Sequence, residues 1–171
     1  INLISGLIDP TGGEIKINNE NLQDLRSNWL SILGYVPQQS GLFNDTILKN
    51  ISFFEDQNDN DIFNEKLNKA LIQSNLKEFV ETLPDKVNTE VGESAGKLSG
   101  GQVQRIGIAR AMFNDPQFVI FDESTNSLDE KNEKSIMEFI YSLKSKKTVL
   151  IISHKEEILN KCDRIYKIEN K

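Results

Sequence analysis

Two uninterrupted apolar runs, Phe118-Val119-Ile120-Phe121 and Val149-Leu150-Ile151-Ile152, limit what this chain can fold into more than any other feature. A strand with one wet face alternates polar and apolar residues. A strand covered on both faces does not, and such strands belong to parallel sheets. Between the runs, Ile136, Phe139, Ile140 and Leu143 recur at helical spacing and predict a helix with one apolar face. The unit reads as β-α-β and the fold class as α/β, a mostly parallel sheet flanked by helices. Arg164-Ile165-Tyr166-Lys167-Ile168 is expected to add a last edge strand.

Upstream, Ile1 to Leu7 reads as the end of a helix stopped at Asp9-Pro10-Thr11-Gly12-Gly13, where a fixed φ and two glycines reverse the chain. Glu14-Ile15-Lys16-Ile17 alternates as a half-buried strand does, with Asn18-Asn19-Glu20-Asn21 expected as its closing turn. A second strand is predicted over Ile32 to Val36, ended by Pro37, which has no N–H for a ladder. From Ile47 to Leu83, residues such as Phe63, Leu67, Ala70 and Leu71 keep helical spacing and Ser74-Asn75 is expected to cap a new helix, which makes a small helical subdomain. The acidic stretch from Glu55 to Asp61 lacks the Gly and closing Glu of a calcium loop and reads as a solvated turn. Because the chain opens on Ile inside an apolar stretch, it is expected to be a fragment.

Composition removes several function classes. With 171 residues, 37% hydrophobic and 27% charged, the chain can bury a core without staples. Its 20 basic against 26 acidic residues, net charge −6, argue against binding nucleic acid by phosphate neutralisation alone. The single Cys162 and single His154 exclude an internal disulfide and a Cys/His metal cluster, and a reducing compartment is the default. No apolar run approaches the roughly 18 to 20 residues of a spanning helix, and the first residues lack the basic flank of a signal peptide.

The residues that carry chemistry fall at element ends. Leu98-Ser99-Gly100-Gly101-Gln102 opens a helix predicted to run to about Met112, with Ser99 as N-cap and Gln102 completing a capping box. A well-capped helix explains that much. It does not explain Gly100 and Gly101, since glycine costs about 0.8 to 1 kcal/mol against alanine in a helix interior. Their bare backbone and the Ser99 hydroxyl suit close approach of a phosphate to a helix N-terminus. Asp122 and Glu123 end a buried parallel strand, the place where open α/β sheets bind ligands. There Asp122 is expected to face a magnesium ion, directly or through water, and Glu123 to orient or deprotonate an attacking water. A strand end with helix-capping acids is the alternative. Ser153-His154 ends the next strand at the same edge, which gives His154 a hydrogen-bonding or switching role rather than a structural one. Gln38, after Pro37, offers an amide that can ligate a hard cation or hold water, although read alone it is a polar loop residue.

Taken in order, Tyr35-Val36-Pro37-Gln38, Leu98 to Gln102, Phe118 to Glu123, Ser127-Leu128-Asp129 and Ser153-His154 closely resemble the nucleotide-binding domain of ATP-binding cassette (ABC) transporters. The resemblance covers essentially the whole chain, and the signature helix, continued as Val103 to Ala111, is its most specific part. By that resemblance Gln38 is the Q-loop glutamine and a magnesium ligand. Ser99, Gly100, Gly101 and Gln102 form the signature loop, Asp122 is the Walker B aspartate, Glu123 the catalytic glutamate, Asp129 the D-loop aspartate and His154 the switch histidine. The chain departs from the family at Asn126-Ser127, where Ser-Ala is usual, and at Val103, where a basic residue is common. The family's phosphate loop, G-x-x-x-x-G-K-[ST], is expected immediately before Ile1, so the stretch given is expected neither to hold ATP at its own catalytic face nor to hydrolyse it.

The resemblance implies a P-loop NTPase-like fold divided into 1–39 (end of the P-loop helix, strands and Q-loop), 40–112 (helical subdomain with the signature helix) and 113–171 (Walker B, D-loop and switch-histidine core). It implies an ATPase motor using ATP and Mg2+, with two domains closing head to tail so that each ATP lies between the catalytic face of one and the signature loop of the other. Gly41 to Ile51 and Thr89 to Glu93 look like exporter segments that face the cytoplasmic ends of membrane helices, fused or in a separate subunit. The expected location is the cytoplasmic face of a membrane, with a bacterial source suggested by the many Asn, Lys and Ile residues. The alternatives are an ABC-type ATPase of DNA maintenance or repair, which usually inserts a long coiled coil between Gln38 and Leu98, and a soluble translation-factor cassette. No direct nucleic-acid contact is expected.

Overall fold

The computed structural model describes residues 1–55, 60–92, 98–125 and 128–168. The chain opens with one helical turn that stops at Gly6, not at the Pro10–Gly13 bend. The Leu7 N–H donates to the Asn2 carbonyl at 3.0 Å and the Gly6 N–H to the Leu3 carbonyl at 3.2 Å, with Gly6 at φ +75°. This pair of bonds is a Schellman stop, which needs a left-handed residue that glycine supplies without strain. Strands β1 (Lys16–Ile17) and β2 (Glu20–Asn21) then pair antiparallel through Asn18 and Asn19, both at positive φ. A two-residue turn with two left-handed residues matches the twist of a hairpin. The closing turn is therefore shorter than expected, and Glu20 and Asn21 belong to the return strand.

Helix α1 (Arg26–Ile32), not anticipated from the sequence pattern, runs directly into β3 (Leu33–Val36). Its buried Trp29 donates from Nε1 to the Ile4 carbonyl at 3.0 Å and packs on Phe118 with ring centroids 4.9 Å apart. The helical subdomain follows: β4 (Asp45–Thr46), α2 (Ile47–Ser52), α3 (Asn60–Gln73), α4 (Lys77–Thr82), a 3₁₀ turn at Lys86–Asn88 and β5 (Glu90–Val91), which pairs antiparallel with β4. Ser74 and Asn75 stop α3 but do not cap α4. The Ser74 hydroxyl bonds back to the Ala70 carbonyl at 2.8 Å and Asn75 takes φ +59°, while the residue that precedes α4 is Leu76, with no side-chain cap. Of the acidic stretch from Glu55 to Asp61, residues 56–59 lie outside the described part.

Helix α5 (Gly100–Met112) leads to β6 (Phe118–Asp122), α6 (Glu130–Ser142), β7 (Thr148–Ile152) and α7 (Glu156–Leu159). Strands β3, β6 and β7 form one parallel sheet in that order. The central β6 is buried along its middle, as its apolar run requires, whereas β7 is only half-buried because it lies at the sheet's end. Residues 164–168 form no strand, and Ile165, Tyr166 and Ile168 are exposed.

Two apolar cores result, and α5 serves both. Ile106, Ala109 and Phe113 join Ile47, Ile51, Leu67 and Leu76 in the helical subdomain. Ile108 and Met112 join Val36, Val119, Phe121 and Ile136 beneath the sheet. The fit of α5 on β3 is close enough to exclude a methyl group. A Cβ on Gly34 would lie 2.7 Å from the Ala111 carbonyl oxygen and 2.8 Å from Pro116 Cγ, while one on Gly100 would meet nothing within 4 Å. Gly34→Ala is therefore expected to lower folding stability by about 1 to 3 kcal/mol through overpacking, whereas Gly100→Ala leaves it unchanged or raises it by up to about 1 kcal/mol. Denaturant titration of the two variants beside the parent checks this, and equal stabilities would contradict the packing described.

Candidate functional site

Parallel register decides where the polar residues fall. Val36 stands opposite Phe121, which stands opposite Ile151. Gln38 and Glu123 each lie two residues beyond that row and His154 three beyond it, so all three emerge at the carboxyl edge of the sheet. Gln38 Nε2 donates to Glu123 Oε2 at 2.7 Å, and His154 Nε2 lies 2.7 Å from Glu123 Oε1. The Glu123 side chain is 17% exposed and that of His154 89%. The Glu123 N–H donates to the Ile152 carbonyl at 3.0 Å, yet its φ is +45°, a left-handed conformation that costs a non-glycine residue of order 1 to 3 kcal/mol. The kink turns Glu123 away from the strand's alternation and parts it from Asp122. Asp122 instead accepts a hydrogen bond from the Tyr35 hydroxyl at 3.1 Å across the β3–β6 pair. Burial, and then the Asp122 carboxylate, hold the Tyr35 phenol above its ordinary pKa, which keeps it a donor.

Helix α5 reaches the same edge from the side. Ala111 abuts Gly34, and Gln104 Nε2 donates to the Pro37 carbonyl at 3.1 Å, so α5 runs antiparallel to β3. At about 1.5 Å per residue, Ser99 stands roughly 7.5 Å farther along the axis than Gln104. The expected capping box is present: the Gln102 N–H donates to Ser99 Oγ at 3.2 Å and the Ser99 N–H to Gln102 Oε1 at 2.8 Å. Among the described residues no hydrogen bond joins Ser99, Gly100, Gly101 or Gln102 to Gln38, Glu123 or His154. Gly101 needs no bare backbone within this chain, since a Cβ there would make only ordinary contact with Leu128 at 3.5 Å.

Asp129 caps α6, accepting the Asn132 N–H at 3.1 Å. That bond, followed by the Asn132 side chain and at longer range the Arg105 guanidinium, holds its carboxyl below the usual range. Arg105 donates to the carbonyls of Gly101 at 3.3 Å and Asn75 at 3.0 Å, tying the first turn of α5 to the α3–α4 corner. Ser127 and Asn126 lie outside the described residues, as does Glu93.

The two segments that look like exporter segments come together on another face. Buried Asn50 donates from Nδ2 to the Phe43 and Thr46 carbonyls, each at 3.0 Å, and its Oδ1 accepts the Phe43 N–H at 2.9 Å. The β4–β5 pair joins Thr46 to Glu90. Arg110, with its pKa lowered by burial, donates to the Asn50 carbonyl at 2.7 Å and lies 5.4 Å from the ring centroids of both Phe43 and Phe53. Phe43, Phe53 and Phe54 remain exposed.

This arrangement defines an α/β domain whose sheet edge gathers acids, an amide and an imidazole, beside a glycine-fronted helix start suited to phosphate. A family model described as ABC transporter matches residues 1–126, and the chain belongs to that family. It is 37% identical over 168 residues to a multidrug resistance ABC transporter ATP-binding and permease protein of Lactococcus lactis subsp. lactis, covering 98% of this chain and 28% of that protein. It is 34% identical over 175 residues to an ATP-dependent lipid A-core flippase of Ralstonia nicotianae, covering 99% of this chain and 29% of that one. A solved bacterial Atm1-family ABC exporter with ATP bound superposes with a TM-score of 0.81 at 33% identity, over 92% of this chain and 27% of that chain. The chain thus spans less than a third of the length of these relatives.

Sequence reasoning passed over Tyr35, Gln104 and Arg105 as polar contributors. Tyr35 sits in β3, and its bond to Asp122 crosses to the neighbouring strand 87 residues away, so no local signal marked it. Gln104 and Arg105 lie two and three residues past the capping box, and the burial of Gln104, unusual for its residue type, is set by its tertiary contact to Pro37. Ser99→Ala is expected to lower stability by about 1 kcal/mol through loss of the cap, and Ser99→Thr to recover most of it. Urea titration measures both, and a neutral Ser99→Ala would show that the box adds nothing.

Proposed function

We propose that this chain is the ATP-hydrolysing motor domain of an ABC exporter, working at the cytoplasmic face of a bacterial membrane. The observation that carries the reading is the double hold on Glu123, by Gln38 on one carboxylate oxygen and His154 on the other, at the carboxyl edge of a parallel sheet. Glu123 is the general base: its carboxylate takes a proton from the water that attacks the terminal phosphoryl group, and His154 steadies that carboxylate and the phosphate oxygen beside it.

Magnesium fits the donors present. Among the described residues no group of three or more His, Cys, Asp or Glu forms a cage. A magnesium ion on ATP usually needs only one or two protein oxygens in addition to phosphates and waters. Asp122 would supply a carboxylate oxygen, its other oxygen held by Tyr35, and Gln38 an amide oxygen. A magnesium ion held by Asp122 and Gln38 would supply neutralisation of the negative charge on the phosphates.

The Ser99–Gln102 helix start is assigned to a nucleotide on the catalytic face of a second cassette, in a head-to-tail pair. The open space at Gly100, where an added Cβ would meet nothing within 4 Å, supports this. Asp129 lies on the same closing surface. Phe43, Phe53 and Phe54, exposed apolar rings on the exporter-like segment, are assigned to contact with the membrane domain.

In the full-length protein, Glu123→Gln keeps the shape and much of the hydrogen bonding of the carboxylate but cannot accept a proton. ATP hydrolysis should fall by about 10² to 10⁴-fold while ATP binding survives. Asp122→Asn should instead weaken magnesium-dependent binding. Turnover and equilibrium nucleotide binding of both variants separate the roles, and parental turnover in Glu123→Gln, or the same binding defect in both, would refute the assignment.

A further inference from the structure

The residues assigned to hydrolysis and to the closing surface stand on three separate segments: Glu123 at the end of β6, His154 beyond β7 and Asp129 at the cap of α6. Because the His154 ring is almost wholly in solvent, its place against Glu123 depends on the backbone that carries it. That backbone is held from α6. Glu133 Oε1 accepts a hydrogen bond from Thr125 Oγ1 at 3.1 Å and pairs with Lys155 Nζ. Thr125 is buried and lies two residues past Glu123, and Lys155 directly follows His154. The Lys155 N–H also donates to Ser153 Oγ at 3.0 Å, closing the loop around the histidine. The Glu133 N–H in turn donates to the Asp129 carbonyl at 2.8 Å in the first turn of α6. One residue thus meets all three: its carboxylate the segment that follows the base and the segment that carries the histidine, and its backbone N–H the turn that begins at Asp129.

We propose that Glu133 is a positioning residue, which acts through Thr125 and Lys155 to fix the separation of the Glu123 carboxylate and the His154 imidazole. The Glu133 side chain is 22% exposed against 45% for Lys155. The carboxylate is therefore the shielded partner and the lysine the adjustable one. A charge-assisted bond to a partly buried carboxylate is shorter and stronger than an exposed ion pair. A carboxylate that bridges two loops can transmit a small displacement of α6 to both, and an error of about 1 Å in a reacting pair costs up to about 100-fold in rate. Asp129 sits at the head of that helix, so contact made at Asp129 would be felt at the base and the histidine together.

This inference rests on the reading of Glu123 and His154 as the pair that acts on water, and the test separates the two. In the full-length protein, Glu133→Gln, Thr125→Val, Thr125→Ser, Lys155→Met and Glu133→Gln with Lys155→Met are compared with Glu123→Gln for kcat, KM for ATP and melting temperature. Glu133→Gln and Thr125→Val should each lower kcat by up to about 100-fold with KM unchanged. Thr125→Ser, which keeps the hydroxyl, should restore the parental kcat. The double variant should be no slower than Glu133→Gln alone, because the two side chains act as one unit. If Glu133→Gln and Thr125→Val turn over at the parental rate while Glu123→Gln is inactive, the positioning role is wrong and the reading of the pair stands. If Thr125→Ser is as slow as Thr125→Val, or kcat falls only in step with melting temperature, Glu133 is a structural contact and the inference fails. If Glu123→Gln itself turns over normally, both fail.

Discussion

Everything in this domain is referred to one helix buried on two sides. Residues Ile106 and Ala109 of α5, with Phe113 just past its end, complete the core of the helical subdomain, and Ile108 and Met112 complete the core under the sheet. Interiors pack like crystals, so an element shared by two cores cannot shift in one without disturbing the other. Two glycines set how closely it sits. Gly34 lets β3 approach the Ala111 carbonyl, and a Cβ on Gly107 would lie 2.0 Å from Ser40 Oγ in the loop after Gln38. The same helix bears the Ser99 cap at its start and Arg110, clasped by Asn50 and two phenylalanines, near its end. The surface around Phe43 and the helix start proposed to meet phosphate are therefore borne by one helix.

The parts of this arrangement legible in the sequence are those set by local pattern. The apolar run at Phe118–Phe121, the helical spacing from Ile136 to Leu143 and the capping box at Ser99 each state their element in a few consecutive residues. Where sequence reading fell short, tertiary contact overrides a local signal. Helix α1 is anchored by Trp29 on Ile4 and Phe118, partners far away in sequence. The helical turn at the start ends at Gly6 because Gly6, rather than the later Pro and Gly residues, supplies the left-handed step. Residues 164–168 alternate as a strand would, but alternation alone cannot supply a neighbouring strand to pair with. The candidate site was legible as residue types in order, because parallel register brings positions just past each strand to one edge. Its cross-links were not: the bonds Tyr35 to Asp122 and Gln38 to Glu123 span 87 and 85 residues, and no local pattern encodes them.

Strain and hydrogen bonding divide the labour between two adjacent acids. In a regular strand, successive side chains point to opposite faces, and neither would be placed for a shared ligand. The left-handed φ of Glu123 breaks that alternation at the last moment, after the ladder bond to Ile152 is made. Asp122 remains on the strand, with Tyr35 fixing one of its oxygens, and Glu123 swings to Gln38 and His154. A strained residue persists only where its surroundings over-determine it, and here contacts to Ile152, Gln38 and His154 contribute to that.

The central claim is that Ser99–Gln102 and the Gln38–Glu123–His154 cluster are halves of sites completed by a second cassette. The most direct measurement is a cryo-electron microscopy structure of the full-length Glu123→Gln protein with magnesium and ATP. The account predicts the terminal phosphate of each ATP between the sheet edge of one cassette, at Asp122, Gln38 and His154, and the Ser99 hydroxyl and the N–H groups of Gly100 to Gln102 of the other. A nucleotide held by Ser99 and by the sheet edge of the same cassette, or a Ser99 helix start far from any phosphate in the closed state, would contradict it.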